Sequence, residues 1–343
     1  MKKQFLILLL ASTIGVIIIS CVRKANANNV QLPNKATDTI TLKELLLPQL
    51  AMQELVYKQT KDTTLKIYYT KPAGAKPGKK YPAVVWIHGG GWTAGTAETF
   101  FPHAKYFAFR GTVGISIEYR LVKYGGSSLA DCFTDCKSAI RYIREHAAEL
   151  NIDPDKIIVM GDSAGGHLAA ALGTIDGFDD AADNLGFSAK PNAMVLFNPG
   201  VDMTLPPHVI TVIKNRVVVS KDMNQNLALL TDDDKKMMRS LSPVFNVHPH
   251  QPPTLVLHGL DDKVILPEQS IRFADSMKAA GNNCQIILLE KTRHAFVVPK
   301  YTASEATVVN AITEADLFLI KLGYLKGQPQ LRVSKDGAWQ AKK

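Results

Sequence analysis

Apolar residues along the chain gather in two different ways. Short unbroken runs at 82–87, 113–118, 157–161, 193–198, 254–258 and 285–290 read as strands buried on both faces. Between them, apolar residues recur at three- and four-residue steps. The clearest such stretch is 128–150, where Leu129, Cys132, Phe133, Cys136, Ile140, Ile143 and Leu150 share a face until Asn151 and Asp153-Pro154 stop the helix. Ahead of the first run, Val56-Tyr57-Lys58 and Leu65 to Tyr69 alternate as half-buried strands do. Strands and helices taken in turn predict an α/β fold, a mostly parallel, doubly wound sheet with helices on both faces. Residues 201–243 break the rhythm. They are rich in Met, Asp and Lys, and predict a helical insertion over the mouth of a site at the strand ends.

Sheets of this kind bind ligands beyond the carboxyl ends of their strands, and the least ordinary residues of the chain fall there. GDSAGG at 161–166 joins the run ending at Met160 to the small-residue helix Leu168 to Leu172. It centres Ser163 in G-x-S-x-G on a strand-to-helix turn. Such a turn lifts the hydroxyl clear of its neighbours, and the helix start aims free N–H groups at the same point. Ser163 is therefore a candidate nucleophile. HGGGW at 88–92 follows the first strand run. Three successive glycines lose much entropy on ordering, but they let bare N–H groups approach a ligand oxygen, as stabilising an oxyanion requires. A phosphate loop would carry Lys and Ser or Thr after its glycines; Trp92, Thr93 and Ala94 follow instead.

A nucleophilic serine needs a histidine to take its proton and a carboxylate to orient that histidine. HGLDDKV (258–264) and EKTRHAF (290–296) lie just past the last two strand runs. They make His294 the candidate base and Asp262 the candidate acid. Asp261 beside it, and Asp202 past the strand ending at Asn198, compete for the acid's role. Trp92, Phe100, Phe101 and Tyr124 are candidate pocket walls, with core packing as the alternative for each.

The first residues look like an address. Met1-Lys2-Lys3 precedes an apolar run from Phe5 to Ser20, too short to span a bilayer and suited to a signal peptide over 1–20. Ile18-Ile19-Ser20-Cys21 reads as a lipoprotein signal with Cys21 lipidated. Cleavage after Ala25-Asn26-Ala27 and an uncleaved anchor are the alternatives. Export to a bacterial periplasm or outer membrane, or secretion, is then expected, with membrane contact only through the lipid anchor. Residues 21–50 read as linker with a short docking segment, 51–325 as one domain and 326–343 as a basic tail. Without Lys2 and Lys3 the net charge falls from +9 to +7, and the excess is dispersed, so no nucleic-acid partner is expected. Once Cys21 is set apart, Cys132, Cys136 and Cys284 are too few for a disulfide framework. They read as buried apolar thiols, a Cys132–Cys136 bridge being the alternative. His248 and His250 lack partners at zinc spacing, so no metal is expected.

From about Tyr81 to Phe296 the chain resembles the α/β hydrolases of the hormone-sensitive-lipase-like and acetyl-xylan or feruloyl esterase-like group. The matching stretches are HGGGW (88–92), EYRL (118–121), NIDPDKIIVMGDSAGGHLAA (151–170), HGLDDKV (258–264) and RHAF (293–296). The resemblance implies an α/β-hydrolase fold and a serine carboxylesterase working through an acyl-enzyme without a cofactor. It assigns Ser163 as nucleophile, His294 as base and Asp262, by the spacing His-Gly-x-x-Asp, as acid. It also implies oxyanion donors at the N–H groups of Ala164, Gly90 and Gly91. The lipase-like branch continues Tyr-Arg-Leu with Ala-Pro-Glu, where this chain has Val122-Lys123-Tyr124. That departure points to exported bacterial esterases that act on acyl decorations of polysaccharides; the resemblance and the exported address together imply a short acyl group, acetyl first, on polysaccharides or small esters. An exported peptidase or amidase with the same triad, and a hydrolase fold serving only to bind, are the competing readings.

Overall fold

The computed structural model describes residues 39–45, 52–72 and 74–335; the predicted signal segment and Cys21 lie outside them. Eight strands form the central sheet: β2 (Gln53–Gln59), β3 (Thr64–Thr70), β4 (Tyr81–Ile87), β5 (Val113–Ile117), β6 (Ile152–Asp162), β7 (Ala193–Phe197), β8 (Thr254–Gly259) and β9 (Cys284–Leu289). Their spatial order is β2-β3-β5-β4-β6-β7-β8-β9. The β2–β3 and β3–β5 pairs are antiparallel and all later pairs parallel. Each run read from the sequence is one of these strands, with ends shifted by a few residues.

The apolar runs are unbroken because both faces of the sheet are covered. On β4, Ala83, Val85 and Ile87 enter one core while Val84 and Trp86 enter the other; Ile157 and Val159 part in the same way from Ile158 and Met160 on β6. The first core is closed by α3 (Leu129–Glu145) and α4 (Ala164–Thr174), the second by α2 (Phe101–Phe109) and α9 (Glu305–Lys321). A slip of one residue in register would exchange the two sets, so the pairing is strongly specified. Helix α3 starts at a capping box, Ser128 with Asp131. It ends at Glu145, five residues short of the predicted stop, where Ile152 N–H donates to Ala147 O at 2.7 Å and closes the turn into β6. Leu150 stays buried from that turn.

Helix α8 (Pro267–Ala279) packs beside β9. The segment ahead of the sheet and the one behind α9 meet: β1 (Ile40–Thr41) pairs in parallel with β10 (Leu331–Arg332). Between β1 and the sheet, α1 (Leu42–Leu45) buries Leu42 and Leu45 fully in the second core. Residues 326–332 thus return along the domain instead of trailing from it. Residues 201–243 carry α5 (Pro206–Ile213), α6 (Met223–Ala228) and α7 (Asp232–Ser240). They pack Val209, Ile213, Met238 and Leu241 into the first core. Cys132, Cys136 and Cys284 are free and buried, so no Cys132–Cys136 bridge forms.

Candidate active site

Strand β6 ends at Asp162 and α4 begins at Ala164, leaving Ser163 alone on the turn with φ 54° and ψ −116°. A non-glycine residue in this region is strained, and the surroundings hold it there. Ser163 N–H donates to Phe197 O at 3.0 Å, and Ser163 O accepts from His167 N–H at 2.9 Å. The turn is tight enough that a Cβ on Gly165 would stand 2.0 Å from Ile87 O, which explains the glycine two residues past the serine. Ala164 is the first residue of α4, so its N–H has no acceptor within the helix and points to the turn.

The loops after β8 and β9 bring two further side chains to Ser163. The His294 Nε2 atom accepts from the Ser163 hydroxyl at 2.8 Å, and its Nδ1–H donates to Asp262 Oδ2 at 2.6 Å. Asp262 is buried, and its other oxygen accepts from Val264 N–H at 2.8 Å and Ile265 N–H at 3.0 Å. His258 Nε2 lies 3.2 Å from Asp262 Oδ2 and 2.9 Å from Ile265 O, while its Nδ1 stands 2.7 Å from the Ser270 hydroxyl. Burial alone would raise the Asp262 pKa. The hydrogen bonds from His258 and His294 outweigh it and hold the carboxyl well below the usual range. Asp262 is thus ionised, accepts only, and fixes the His294 tautomer with Nε2 free for the serine proton.

The competing acids are engaged elsewhere. Asp261 is exposed, its N–H bound to Thr292 O. Asp202 is buried, accepts from Thr204 N–H at 3.0 Å and from the Thr204 hydroxyl at 2.5 Å, and pairs with Arg272. Neither makes a hydrogen bond to His294.

The glycine run forms the opposite wall. Gly90 has φ +114°, and a Cβ there would stand 2.1 Å from Ala94 O, so the run is closed to any side chain at that position. Gly90 and Gly91 are exposed and line a cavity of about 390 Å³ together with Ser163 and His294. Its other walls include Thr99, Val264, Ala295, Val298 and Tyr301.

The expected aromatic walls lie elsewhere. Trp92 is buried behind the glycine run; its Nε1–H donates to His167 Nδ1 at 3.1 Å and its ring meets His208 edge-on at 5.5 Å. Phe100 is fully buried and stacks on Trp86 at 4.7 Å. Phe101 starts α2 and tilts against Tyr68 at 5.1 Å. Tyr124 is exposed but faces a neighbouring cavity. The insertion is displaced too: His208 of α5 backs Trp92, and the described residues that line the Ser163 cavity include none from 201–243.

Several residues of the site were not singled out from the sequence: the walls Thr99, Val264, Ala295 and Val298, and also Asp162 and Tyr301. Asp162, next to the serine, is buried and lines the cavity, its Oδ1 accepting from Asn198 Nδ2–H at 3.0 Å. Burial pushes its pKa up to about 6, with the nearby His294 and the Asn198 hydrogen bond opposing. Its place in GDSAGG was the available signal. Tyr301 comes from an irregular loop and carried none. His88 supports the run from below, stacked on Tyr119 at 4.3 Å with Nδ1 2.8 Å from Gly89 O. Burial lowers its pKa to about 4 and keeps it neutral. Among the described residues no group of three or more His, Cys, Asp or Glu side chains is placed to hold a metal ion.

A serine on a strained strand-to-helix turn, a histidine joining it to a buried carboxylate, and a glycine wall opposite, set on this sheet, are the arrangement of an α/β-hydrolase fold. Residues 65–277 match the BD-FAE family, and the chain belongs to that α/β-hydrolase carboxylesterase family. Esterase LipQ of Mycobacterium tuberculosis is 29% identical over 234 residues, 64% of this chain and 51% of its own length. An acetylxylan esterase of Xylanibacter ruminicola is 24% identical over 217 residues, 62% of this chain and 41% of its own. The chain thus spans about half the length, or less, of these curated relatives. Thermogutta terrifontis esterase 2 superposes with a TM-score of 0.70 at 32% identity, covering 81% of this chain and 96% of that one.

Proposed function

We propose that the protein hydrolyses carboxylic esters through an acyl-enzyme on Ser163. His294 takes the hydroxyl proton as Ser163 attacks the ester carbonyl, and Asp262 stabilises the imidazolium that forms. The negative charge on the carbonyl oxygen falls to the N–H groups of Ala164, Gly90 and Gly91, and such donors contribute about 3 kcal/mol apiece. His294 then gives its proton to the leaving alcohol. Water, activated by the same imidazole, releases the acid. The observation that carries this reading is the double hydrogen bond of His294, to Ser163 on one nitrogen and Asp262 on the other.

The acyl group is proposed to be short, acetyl in the first place. The cavity beside Ser163 measures about 390 Å³, and Val264, Val298 and Tyr301 give it apolar walls suited to the acyl chain. A relative is named as an acetylxylan esterase, and Thermogutta terrifontis esterase 2 has been solved with propionate and with butyrate bound. Export behind the N-terminal apolar run, with Cys21 lipidated, belongs to the same proposal. Hydrolysis of p-nitrophenyl acetate, butyrate and octanoate beside Ser163→Ala tests the chemistry. Turnover that falls with chain length and is lost in the variant is expected. Equal turnover by the variant, or none by folded wild type, would overturn the reading.

A further inference from the structure

The glycine run has to be held by what stands at its ends. Gly90 and Gly91 are exposed, and a Cβ on Gly91 would meet nothing within 4 Å, so no packing fixes the run on that side. Glycine backbone without such support samples many conformations. One anchor is His88, below the run. The other is Trp92, held at φ 59° in the left-handed region that bulky residues rarely adopt. Its carbonyl oxygen accepts from Val122 N–H at 2.8 Å. The turn around it returns the N–H groups of Thr93 and Ala94 to Gly90 O at 3.2 and 3.0 Å.

The indole of Trp92 is tied from behind. Its ring meets two buried imidazoles edge-on, His167 at 5.3 Å and His208 at 5.5 Å. The hydrogen bonds of His167 settle its tautomer. Trp92 Nε1–H only donates, so His167 Nδ1, 3.1 Å away, is bare; the proton is on Nε2, which donates to Leu241 O at 2.7 Å. Burial lowers the His167 pKa to about 4 and keeps the ring in this neutral form. His167 lies on α4 one turn past Ser163, to whose carbonyl oxygen its N–H donates. Leu241 follows α7, near the end of the 201–243 insertion. One imidazole thus joins the helix of the nucleophile, the glycine run and the insertion.

We propose that His167 is a positioning residue for ester hydrolysis: its Nδ1, accepting from Trp92, fixes the end of the glycine run and thereby the Gly90 and Gly91 N–H groups that receive the oxyanion. The inference rests on the esterase reading above. The bond to Leu241 O orients the ring; the bond to Trp92 carries the effect. Donors aimed at developing charge act in the transition state and not on the bound ester. Loosening the run therefore lowers kcat and leaves KM.

Asparagine and glutamine divide the two nitrogens of His167 between them. An asparagine Oδ1 lies as many bonds from Cβ as Nδ1 does and accepts from Trp92. A glutamine Nε2 lies as many bonds from Cβ as the imidazole Nε2 does and donates to Leu241 O. On p-nitrophenyl acetate, Trp92→Phe and His167→Gln are each expected to lower kcat about tenfold with KM within about twofold. That is part of the roughly 10²- to 10³-fold that losing a donor outright costs. His167→Asn should stay within about threefold of wild type. Trp92→Phe combined with His167→Gln should fall no further than either alone, since both cut one link. Val209→Ala, a loss of packing in the same insertion, should lower the melting temperature and spare kcat, which separates the link from stability alone. The Trp92 indole N–H resonance, assigned by its absence in Trp92→Phe, should move in His167→Gln and hold in His167→Asn. Wild-type kcat in folded Trp92→Phe and His167→Gln, His167→Asn as slow as His167→Gln, a change confined to KM, or an indole resonance unmoved in His167→Gln would overturn the proposal. Turnover that survives Ser163→Ala would instead overturn the esterase reading beneath it.

Discussion

Asp262→Asn separates the three candidate acids by a magnitude the geometry supplies. The Asp262 carboxylate receives two backbone N–H groups on Oδ1, and His294 Nδ1–H with His258 on Oδ2. An asparagine that keeps its oxygen toward Val264 and Ile265 turns an NH₂ group toward His294. Donor then faces donor, and the imidazole escapes by moving its proton to Nε2, where it can no longer accept from Ser163. The charge is lost as well. A carboxylate about 4 Å from an imidazolium contributes roughly 4 kcal/mol at an effective dielectric of about 20. Tautomer and charge together predict a fall in kcat of about 10³- to 10⁴-fold. Asp202→Asn removes the acceptor of Thr204 and the partner of Arg272, and its kcat should stay within about tenfold of wild type, since nothing it holds touches His294. Both variants are assayed on p-nitrophenyl acetate after their thermal unfolding has shown them folded. If Asp262→Asn kept a tenth of the activity while Asp202→Asn lost a thousandfold, the acid assigned to Asp262 would be wrong.

Asp162→Asn should stabilise the protein at neutral and alkaline pH. The folded carboxyl holds its proton up to about pH 6, against an ordinary value of 3.8. Its favourable contribution is thus present below about pH 4 and lost as pH rises through 6. The neutral amide keeps an acceptor for Asn198 and escapes that loss, roughly 3 kcal/mol at pH 8. Denaturant unfolding at pH 4 and pH 8 checks it; a gain no larger at pH 8 than at pH 4 refutes it. At the N-terminus, labelled palmitate should enter the protein in bacteria and be lost in Cys21→Ser. Label retained by the variant would remove the lipoprotein assignment.

The sheet was legible because its strands are buried on both faces, so unbroken apolar runs such as 82–87 had no competing explanation in a chain that also repeats helices. Ser163, Asp262 and His294 were legible for a different reason: each lies just past a strand's carboxyl end, and strand ends in a parallel sheet converge. The acid stayed ambiguous while only position past a strand end was considered, and the spacing His-Gly-x-x-Asp favoured Asp262. What separates Asp262 from Asp261 in the structure is its burial, with the N–H groups of Val264 and Ile265 on one oxygen and His294 on the other, a property of the loop's path. Pocket walls follow no such rule. Trp92 and Phe100 stand near the glycine run in sequence, but a large aromatic ring beside an all-backbone wall has two places to go, the cavity or the core. Trp92 finds an acceptor in His167 and Phe100 a stacking surface in Trp86, and both leave the cavity. The walls of the Ser163 cavity, among them Val264, Val298 and Tyr301, ride on the loops that carry Asp262 and His294. The walls of the Ser163 cavity are thereby tied to the loops of Asp262 and His294, whereas the residues around Tyr124 sit on a separate stretch of chain after β5. Substitutions at 123–127 can therefore reshape the surface around Tyr124 while leaving the path of the His294 loop alone.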